Sequence, residues 1–452
     1  MTAGHPQRWW ALGVLCLTLG MVALDNSILN VALPHIRAEL GASERDLQWI
    51  TTAYSLVLAG ALLPFAVVGD RHGRKLGLVG GLAIFGGASL AASMATSAGM
   101  LVLCRGAMGV GGACAMPATL SLLGNLFDEH ERPKAIAIWS AGAGVASACG
   151  PIVGGLLLSR FWWGSVFLVN VPVAIALLLT AVVLVPESRD PTSPTLDRRS
   201  AIAWWAALTS LLVAIIELPA RSWHSPLVLG AAAAAVVLFR VFRRQEARTD
   251  GPLVDAATAS DPRMLAGSVT MGALFLGIFG CQFVLTQWLQ GPRGLSAVAA
   301  GACFVPGATA AMVLSLVGPR FARKHGHAAM AVTGLALSAV GAVGVSIAVI
   351  AGNVPAAALL FMLLGAGAGV AAPSGTEMIM SSAPPARAGS AGGVNETIVE
   401  ASGALGVAVL GSILAGTHSY AWPLPAAAAV AATAALTVRA RATRRRQPAP
   451  TP

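Results

Sequence analysis

Gly69-Asp70-Arg71-His72-Gly73-Arg74-Lys75 is a short charged stretch between two long apolar runs, 47–68 and 76–94. Each run is close to the ~20 residues that a helix needs to cross ~30 Å of hydrocarbon. The stretch therefore reads as a loop between two membrane spans. Arg71, Arg74 and Lys75 crowd three cations into it, which puts it on the cytoplasmic side by the positive-inside rule. With this connection placed, every other span has a direction.

The rest of the chain is of the same kind. Of 452 residues, 56% are hydrophobic and 11% charged, and the mean hydropathy is +0.74. A soluble chain carries about a quarter charged residues, so this one reads as an all-α integral membrane protein. The net charge of +10 does not point to nucleic acid, because the cations sit in short loops beside spans, where topology and anionic headgroups account for them. Six cysteines all fall inside apolar runs without the close Cys or His spacing of a metal site, and read as small buried hydrophobes. The first run, 9–33, is longer than a signal-peptide core and lacks a clear cleavage site, so it is expected to be a retained helix.

Apolar runs bounded by charge or turn residues number fourteen: 9–33, 47–68, 76–94, 100–122, 135–158, 163–185, 201–218, 226–242, 264–289, 297–317, 328–350, 355–379, 390–414 and 422–438. This topology puts 23 of the 29 Lys and Arg residues on the cytoplasmic side, counting Arg240 at the cytoplasmic end of the eighth span, and five outside, with Arg105 alone deep inside a span. Both termini are then cytoplasmic. Two longer connections, 186–200 and 243–263, bracket the seventh and eighth spans and set that pair apart. The expected organisation is a six-helix bundle over 9–185, a linker with two additional helices over 186–263, a second six-helix bundle over 264–438, and a disordered basic tail over 439–452. A faint repeat supports the division: Arg323-Lys324-His325-Gly326 precedes the eleventh span as Asp70-Arg71-His72-Gly73 precedes the third. Two such halves bind substrate between them near the midplane in a known transporter architecture.

Ionisable groups are expensive in hydrocarbon, so the few inside spans matter. Asp25 lies in the outer half of the first span and Arg105 in the outer half of the fourth, at depths that let them meet. They read either as a static neutralising pair or as a pair broken when Asp25 takes a proton. Glu396 and Glu400 are four residues apart on the thirteenth span, which places both carboxylates on one face, one turn apart. Two like charges there cannot both ionise cheaply, so one is expected to stay protonated until a cation or water displaces the proton. A helix end letting its acids reach toward the cytoplasm is the other reading, and it suits Glu396 better than Glu400. Glu217 and Glu377 lie at span ends and read as interfacial.

The fifth span carries Gly142, Gly144, Gly150, Pro151, Gly154 and Gly155. Glycines at this spacing let helices approach, and Pro151 removes a backbone donor and bends the span; close packing or rocking against a neighbour both follow. Trp49, Tyr54, Trp139, Phe283, Gln287 and Trp288 are the aromatic and polar side chains placed to wall a pocket for lipophilic cations.

Taken together these stretches resemble the drug:proton antiporter-2 family of the major facilitator superfamily, fourteen-helix transporters, over nearly the whole chain. The resemblance implies the major facilitator fold, two six-helix bundles plus two additional helices. It also implies a monomer in the inner (cytoplasmic) membrane, with no cofactor and no metal, that exports a small amphipathic or cationic substrate against protons entering down their gradient. By position it implies that Asp70, Arg71, Gly73, Arg74 and Lys75 form a cytoplasmic charge relay latching the outward-open state, that Arg105 takes part in proton coupling, that Asp25 is the first-helix acid, and that Gly150, Pro151, Gly154 and Gly155 form the antiporter motif. Two departures stand out: Val399-Glu400 where relatives often have Arg-Gln, and Met108 where a Gln is usual. An uptake symporter would share the fold, with the Gly150–Gly155 stretch against it. A membrane-embedded enzyme or sensor would need a nucleophile-base pair, a metal cluster or a soluble domain, none of which the sequence offers.

Overall fold

The structure is a computed structural model that describes residues 7–128, 131–189, 197–248, 258, 260–383 and 388–444. Among these residues it is helical, with no strand. The helices are α1 (Arg8–Leu40), α2 (Glu44–His72), α3 (Arg74–Ser93), α4 (Ala98–Leu126), α5 (Arg132–Arg160), α6 (Ser165–Leu184), α7 (Arg198–Arg221), α8 (Pro226–Glu246), α9 (Pro262–Gln290), α10 (Ala297–His325), α11 (His327–Ile350), α12 (Val354–Met380), α13 (Ala388–Thr417) and α14 (Pro423–Arg444). Each of the fourteen expected spans falls on one of them. Twelve are long and apolar enough to cross a membrane as they stand. α2 joins them when its two halves, Glu44–Leu62 and Pro64–His72, inclined at 52°, are taken as one span, and α5 carries a shorter apolar stretch, Val145–Arg160.

The interruptions have chemical causes. Pro64 lacks an N–H for the carbonyl of Gly60 and its ring crowds that turn, so α2 bends there. Pro172 withdraws the donor that Leu168 would use, and α6 breaks at Val169 into Ser165–Leu168 and Asn170–Leu184. Pro306 does the same to Ala302, and α10 divides into Ala297–Ala302 and Val305–His325.

The charged stretch 69–75 is shorter as a loop than expected. α2 runs through His72 and α3 starts at Arg74, so the chain reverses at Gly73 alone, with φ +137°. A side chain there would be strained, and glycine is not. The same turn is built a second time: Gly326 has φ +87°, its N–H reaches Ala322 O at 2.8 Å, and the Gly73 N–H reaches Gly69 O at 2.9 Å. In both, the preceding histidine Nδ1 lies 3.1–3.2 Å from a carbonyl four residues back. At the far end α14 continues to Arg444, so the first residues assigned to a disordered tail are helical. Residues 445–452 of that tail, 190–196 and 249–257 of the linker, lie outside the described residues.

Contacts divide the chain into two compact units: 1–214, 229–253 and 295–301 in the first, and 215–228, 254–294 and 302–452 in the second. In lipid there is no hydrophobic drive between helices, so close approach through small residues has to hold them. In the first unit α3 meets α4 where a Cβ on Gly81 would stand 2.6 Å from Gly111 O and 2.7 Å from Ala115 N. In the second unit α11 meets α12 where a Cβ on Gly334 would stand 2.5 Å from Gly367 O. Gly81 and Gly334 each follow their turn glycine by eight residues, so the repeat extends from the turn into the packing of the helix after it.

Both neighbours at Gly81 are backbone atoms and cannot step aside. Gly81→Ala is therefore expected to cost about 1–3 kcal/mol, the usual scale of overpacking, and to lower the melting temperature in detergent by scanning fluorimetry. Gly80→Ala, where a Cβ would meet nothing within 4 Å, serves as the control and should melt like the parent. Equal melting of the two variants would remove helix approach as the reason for glycine at 81.

Candidate functional site: a buried charge network and its supports

Asp25 and Arg105 are joined. Arg105 Nη1 donates to Asp25 Oδ2 at 2.6 Å, with side-chain exposures of 0% and 2%. Taking both charges out of water is costly unless geometry and further hydrogen bonds compensate, and here they do. Arg105 Nη2 donates to Asn26 Oδ1 at 3.2 Å, its Nε to Ile50 O at 3.3 Å, and its guanidinium stacks 4.5 Å from the centre of the Tyr54 ring. Met108 contributes its Sδ, a weak acceptor, at 3.9 Å from Nη1. The other carboxylate oxygen, Asp25 Oδ1, accepts from Asn170 Nδ2 at 2.6 Å. Four helices, α1, α2, α4 and α6, thus supply one buried network. Glycines in α4 make room for it: a Cβ on Gly109 would stand 2.7 Å from Tyr54 O, and one on Gly112 would stand 2.9 Å from Tyr54 Oη.

The glycine face of α5 lies against the same part of α1. A Cβ on Gly150 would stand 2.5 Å from Ser27 Cβ, and one on Gly154 would stand 3.2 Å from Ile28 Cγ2, while Ser27 Oγ donates to Ser147 O at 2.8 Å. Gly155 and Pro151 face Val298 and Gly301 of the first piece of α10, which belongs to the same unit. α5 therefore touches α1 within two residues of Asp25.

At the charged turn, Arg74 Nε pairs with Asp70 Oδ1 at 2.6 Å and Lys75 Nζ donates to Val182 O at 2.7 Å, whereas Arg71 is exposed. Two further residues, outside the expected set, join this turn. Ser188 accepts from the Arg74 backbone N–H at 2.9 Å through its carbonyl, and from Arg74 Nη1 at 3.1 Å through its hydroxyl. Glu187 Oε1 accepts from Lys75 N at 3.3 Å, and a Cβ on Gly73 would stand 3.0 Å from that oxygen. The segment after α6 thus caps the exposed N–H groups of α3, where a carboxylate is favoured. Glu187→Ala is expected to release this segment and speed limited tryptic cleavage at Arg189 several-fold; an unchanged cleavage rate would mean that the cap does not hold it.

In the second unit Glu400 is buried and Glu396 half-buried on α13. Asn395 Nδ2 donates to Glu396 Oε1 at 3.3 Å, and Thr376 Oγ1 of α12 donates to Asn395 Oδ1 at 3.3 Å. Glu377 is exposed, and Glu217 is buried with Arg221 Nε 2.8 Å away.

The family model described as Major Facilitator Superfamily matches residues 15–407. The chain belongs to the major facilitator superfamily. It is 37% identical over 416 residues to the multidrug efflux pump LfrA of Mycolicibacterium smegmatis, covering 91% of this chain and 82% of the relative. It is 33% identical over 421 residues to the tetracenomycin C resistance and export protein of Streptomyces glaucescens, covering 93% and 78%. The methyl viologen resistance protein SmvA of Salmonella typhimurium is 32% identical over 416 residues, covering 91% and 84%. A solved POT family transporter in complex with 5-aminolevulinic acid superposes with a TM-score of 0.74 at 14% identity, covering 96% of each chain, which shows the fold alone.

As a member of this superfamily of transporters, the chain is a multi-pass membrane protein. Of the six side chains expected to wall a pocket, Tyr54 lies against Arg105. Phe283 is fully buried, Gln287 and Trp288 nearly so, Trp49 and Trp139 are half-buried, and Arg293 lies 5.6 Å from the Trp288 ring. Cys149 is exposed, unlike the buried hydrophobe expected of it, whereas Cys281 is buried. Asn170 is an uncharged amide, and Glu187 and Ser188 lie past the end of a span, so the scarcity of charge in hydrocarbon marks none of the three. The signal for Asn170 was present, as a polar residue two before Pro172 in an otherwise apolar run.

Proposed function

We propose that this chain is an efflux antiporter of the cytoplasmic membrane, acting as a monomer with both termini inside, which exports small amphipathic or cationic compounds in exchange for entering protons. The observation that carries the reading is the Asp25–Arg105 pair, 2.6 Å apart and buried inside helices long enough to span a membrane. A carboxylate in that position binds a proton at the expense of its hold on Arg105, and a protein that must alternate between two states can use that exchange. The names of two relatives describe multidrug efflux and tetracenomycin C export, and that of a third methyl viologen resistance, which supports an outward direction and organic substrates.

In this cycle a proton from outside neutralises Asp25 and frees Arg105 from its partner. Glu396 and Glu400 hold the cationic part of the substrate, and the turn at Asp70–Lys75 with its Glu187 cap latches one of the two states. The bundles at 9–185 and 264–438 are the moving halves, with α7 and α8 inserted between them in sequence. The experiment is transport in proteoliposomes: an imposed inward proton gradient is expected to drive ethidium in the opposite direction. Ethidium movement indifferent to the gradient would refute the coupling, and movement in the same direction as the protons would make the chain an uptake symporter.

A further inference from the structure

Asp25 must be held in two protonation states, and its two oxygens have different neighbours. Oδ2 faces Arg105 Nη1 and Oδ1 faces Asn170 Nδ2, each at 2.6 Å. A guanidinium has five donors and no acceptor, so it has nothing to offer a carboxylic O–H. An amide has both. Asn170 is 1% exposed, and its own Oδ1 is buried with no hydrogen-bond partner among the described residues. A buried acceptor left in that condition costs about 1–3 kcal/mol, so its retention calls for a reason.

We infer that Asn170 is the positioning residue that keeps Asp25 in place through its protonation change, donating Nδ2–H to the carboxylate and, after a half-turn of its amide, accepting the O–H of the acid through Oδ1. The proposal rests on the proton-coupled reading above. The step balances without any co-reactant: a proton from water forms the O–H bond at Asp25 Oδ1, the Asn170 amide rotates, and the reverse sequence returns the proton to water. Amide oxygen and nitrogen have nearly the same size, so rotation changes the bond and leaves the packing. Among the described residues, the charged and titratable groups at the site are Arg105 of α4 and, against it, Tyr54 of α2; α5 presents Gly150 and the Ser147 carbonyl to Ser27, and α6 presents the uncharged Asn170. The break at Val169 starts the second piece of α6 with Asn170 and aims its amide inward.

The test needs no substrate at first. Infrared difference spectra of the purified protein between acid and alkaline pH contain the carbonyl stretch of protonated Asp25, identified by its disappearance in Asp25→Asn. That band is expected to shift to higher frequency in Asn170→Leu, which cannot accept the O–H, and to return toward the parent position in Asn170→Ser, whose hydroxyl donates and accepts. An Asp25 band at the same frequency in all three proteins overturns the proposal, and if the Leu variant does not fold, Asn170→Ala takes its place in the comparison. In proteoliposomes, gradient-driven ethidium transport by Asn170→Leu is expected to fall about tenfold, ~1.4 kcal/mol, with ethidium exchange in the absence of a gradient unchanged. Loss of both together, unrelieved in Asn170→Ser, would reduce Asn170 to a packing residue and overturn the proposal. A parent protein that ignores the gradient while the Asp25 band still shifts in Asn170→Leu would refute the antiport reading and leave the bond between the two residues standing.

Discussion

Arg105→Met is expected to give a protein that melts far below the parent and transports nothing, and adding Asp25→Asn is expected to restore the melting but not the transport. The first half follows from what the substitution leaves behind. Asp25 is 2% exposed and loses its cationic partner Arg105, and breaking a buried ion pair on one side costs about 3–5 kcal/mol. Asn170 still donates to one oxygen, which tempers the loss without replacing a charge. In the double variant neither group is charged, an amide faces a thioether of similar length, and replacing both members of a buried pair is often neutral or stabilising. Transport separates the two meanings of the pair. A pair that only neutralises two charges is dispensable once both are gone, so the double variant would carry ethidium against a proton gradient like the parent. A pair whose opening is the coupling step is not dispensable, and the refolded double variant would bind and exchange ethidium without responding to the gradient. Gradient-driven transport by the double variant is the result that would retire Asp25 as the proton carrier.

The meeting of Asp25 and Arg105 could be anticipated because charge inside hydrocarbon is scarce: two such residues at matching depth in one bundle have each other as the cheapest solution. The same economy made the turn at Gly73 visible, since three cations beside two apolar runs have little alternative meaning. Other features were hidden for physical reasons. The Asp70–Arg74 pair could be read as a local helical spacing, but Glu187 reaches the same turn from 114 residues beyond Gly73, and nothing local marks that approach. The second turn, at Gly326, resembles the first faintly in sequence because its flanking charges differ, whereas the backbone needs only the glycine with positive φ and a small residue eight positions on. Tyr54 reads only as a candidate pocket residue, because an aromatic ring in a span has several uses. Its actual place over Arg105 is set by Gly109 and Gly112 on a different helix.

The acids of α13 should divide by the charge of what is carried. Glu400→Gln is expected to weaken resistance to methyl viologen, a dication, about tenfold or more in a pump-deficient host, to weaken resistance to a monocation less, and to leave an uncharged amphiphile untouched. Two unit charges 4 Å apart interact by about 4 kcal/mol at an effective dielectric constant near 20, and a dication doubles that attraction. Tenfold in affinity is ~1.4 kcal/mol, so a third of one such interaction is enough to be seen. Glu400 is the stronger member because it is buried, whereas Glu396 is half-buried, so water weakens its field. Glu396→Gln should therefore lose less for the same dication. The two carboxylates lie one helical turn apart, so both act on the same cation and their effects are coupled. That coupling predicts an order rather than a sum: parent, Glu396→Gln, Glu400→Gln, and last the double variant, with the widest step at Glu400. Equal losses of methyl viologen and the uncharged amphiphile in Glu400→Gln would mean that the residue shapes α13 and does not select for charge.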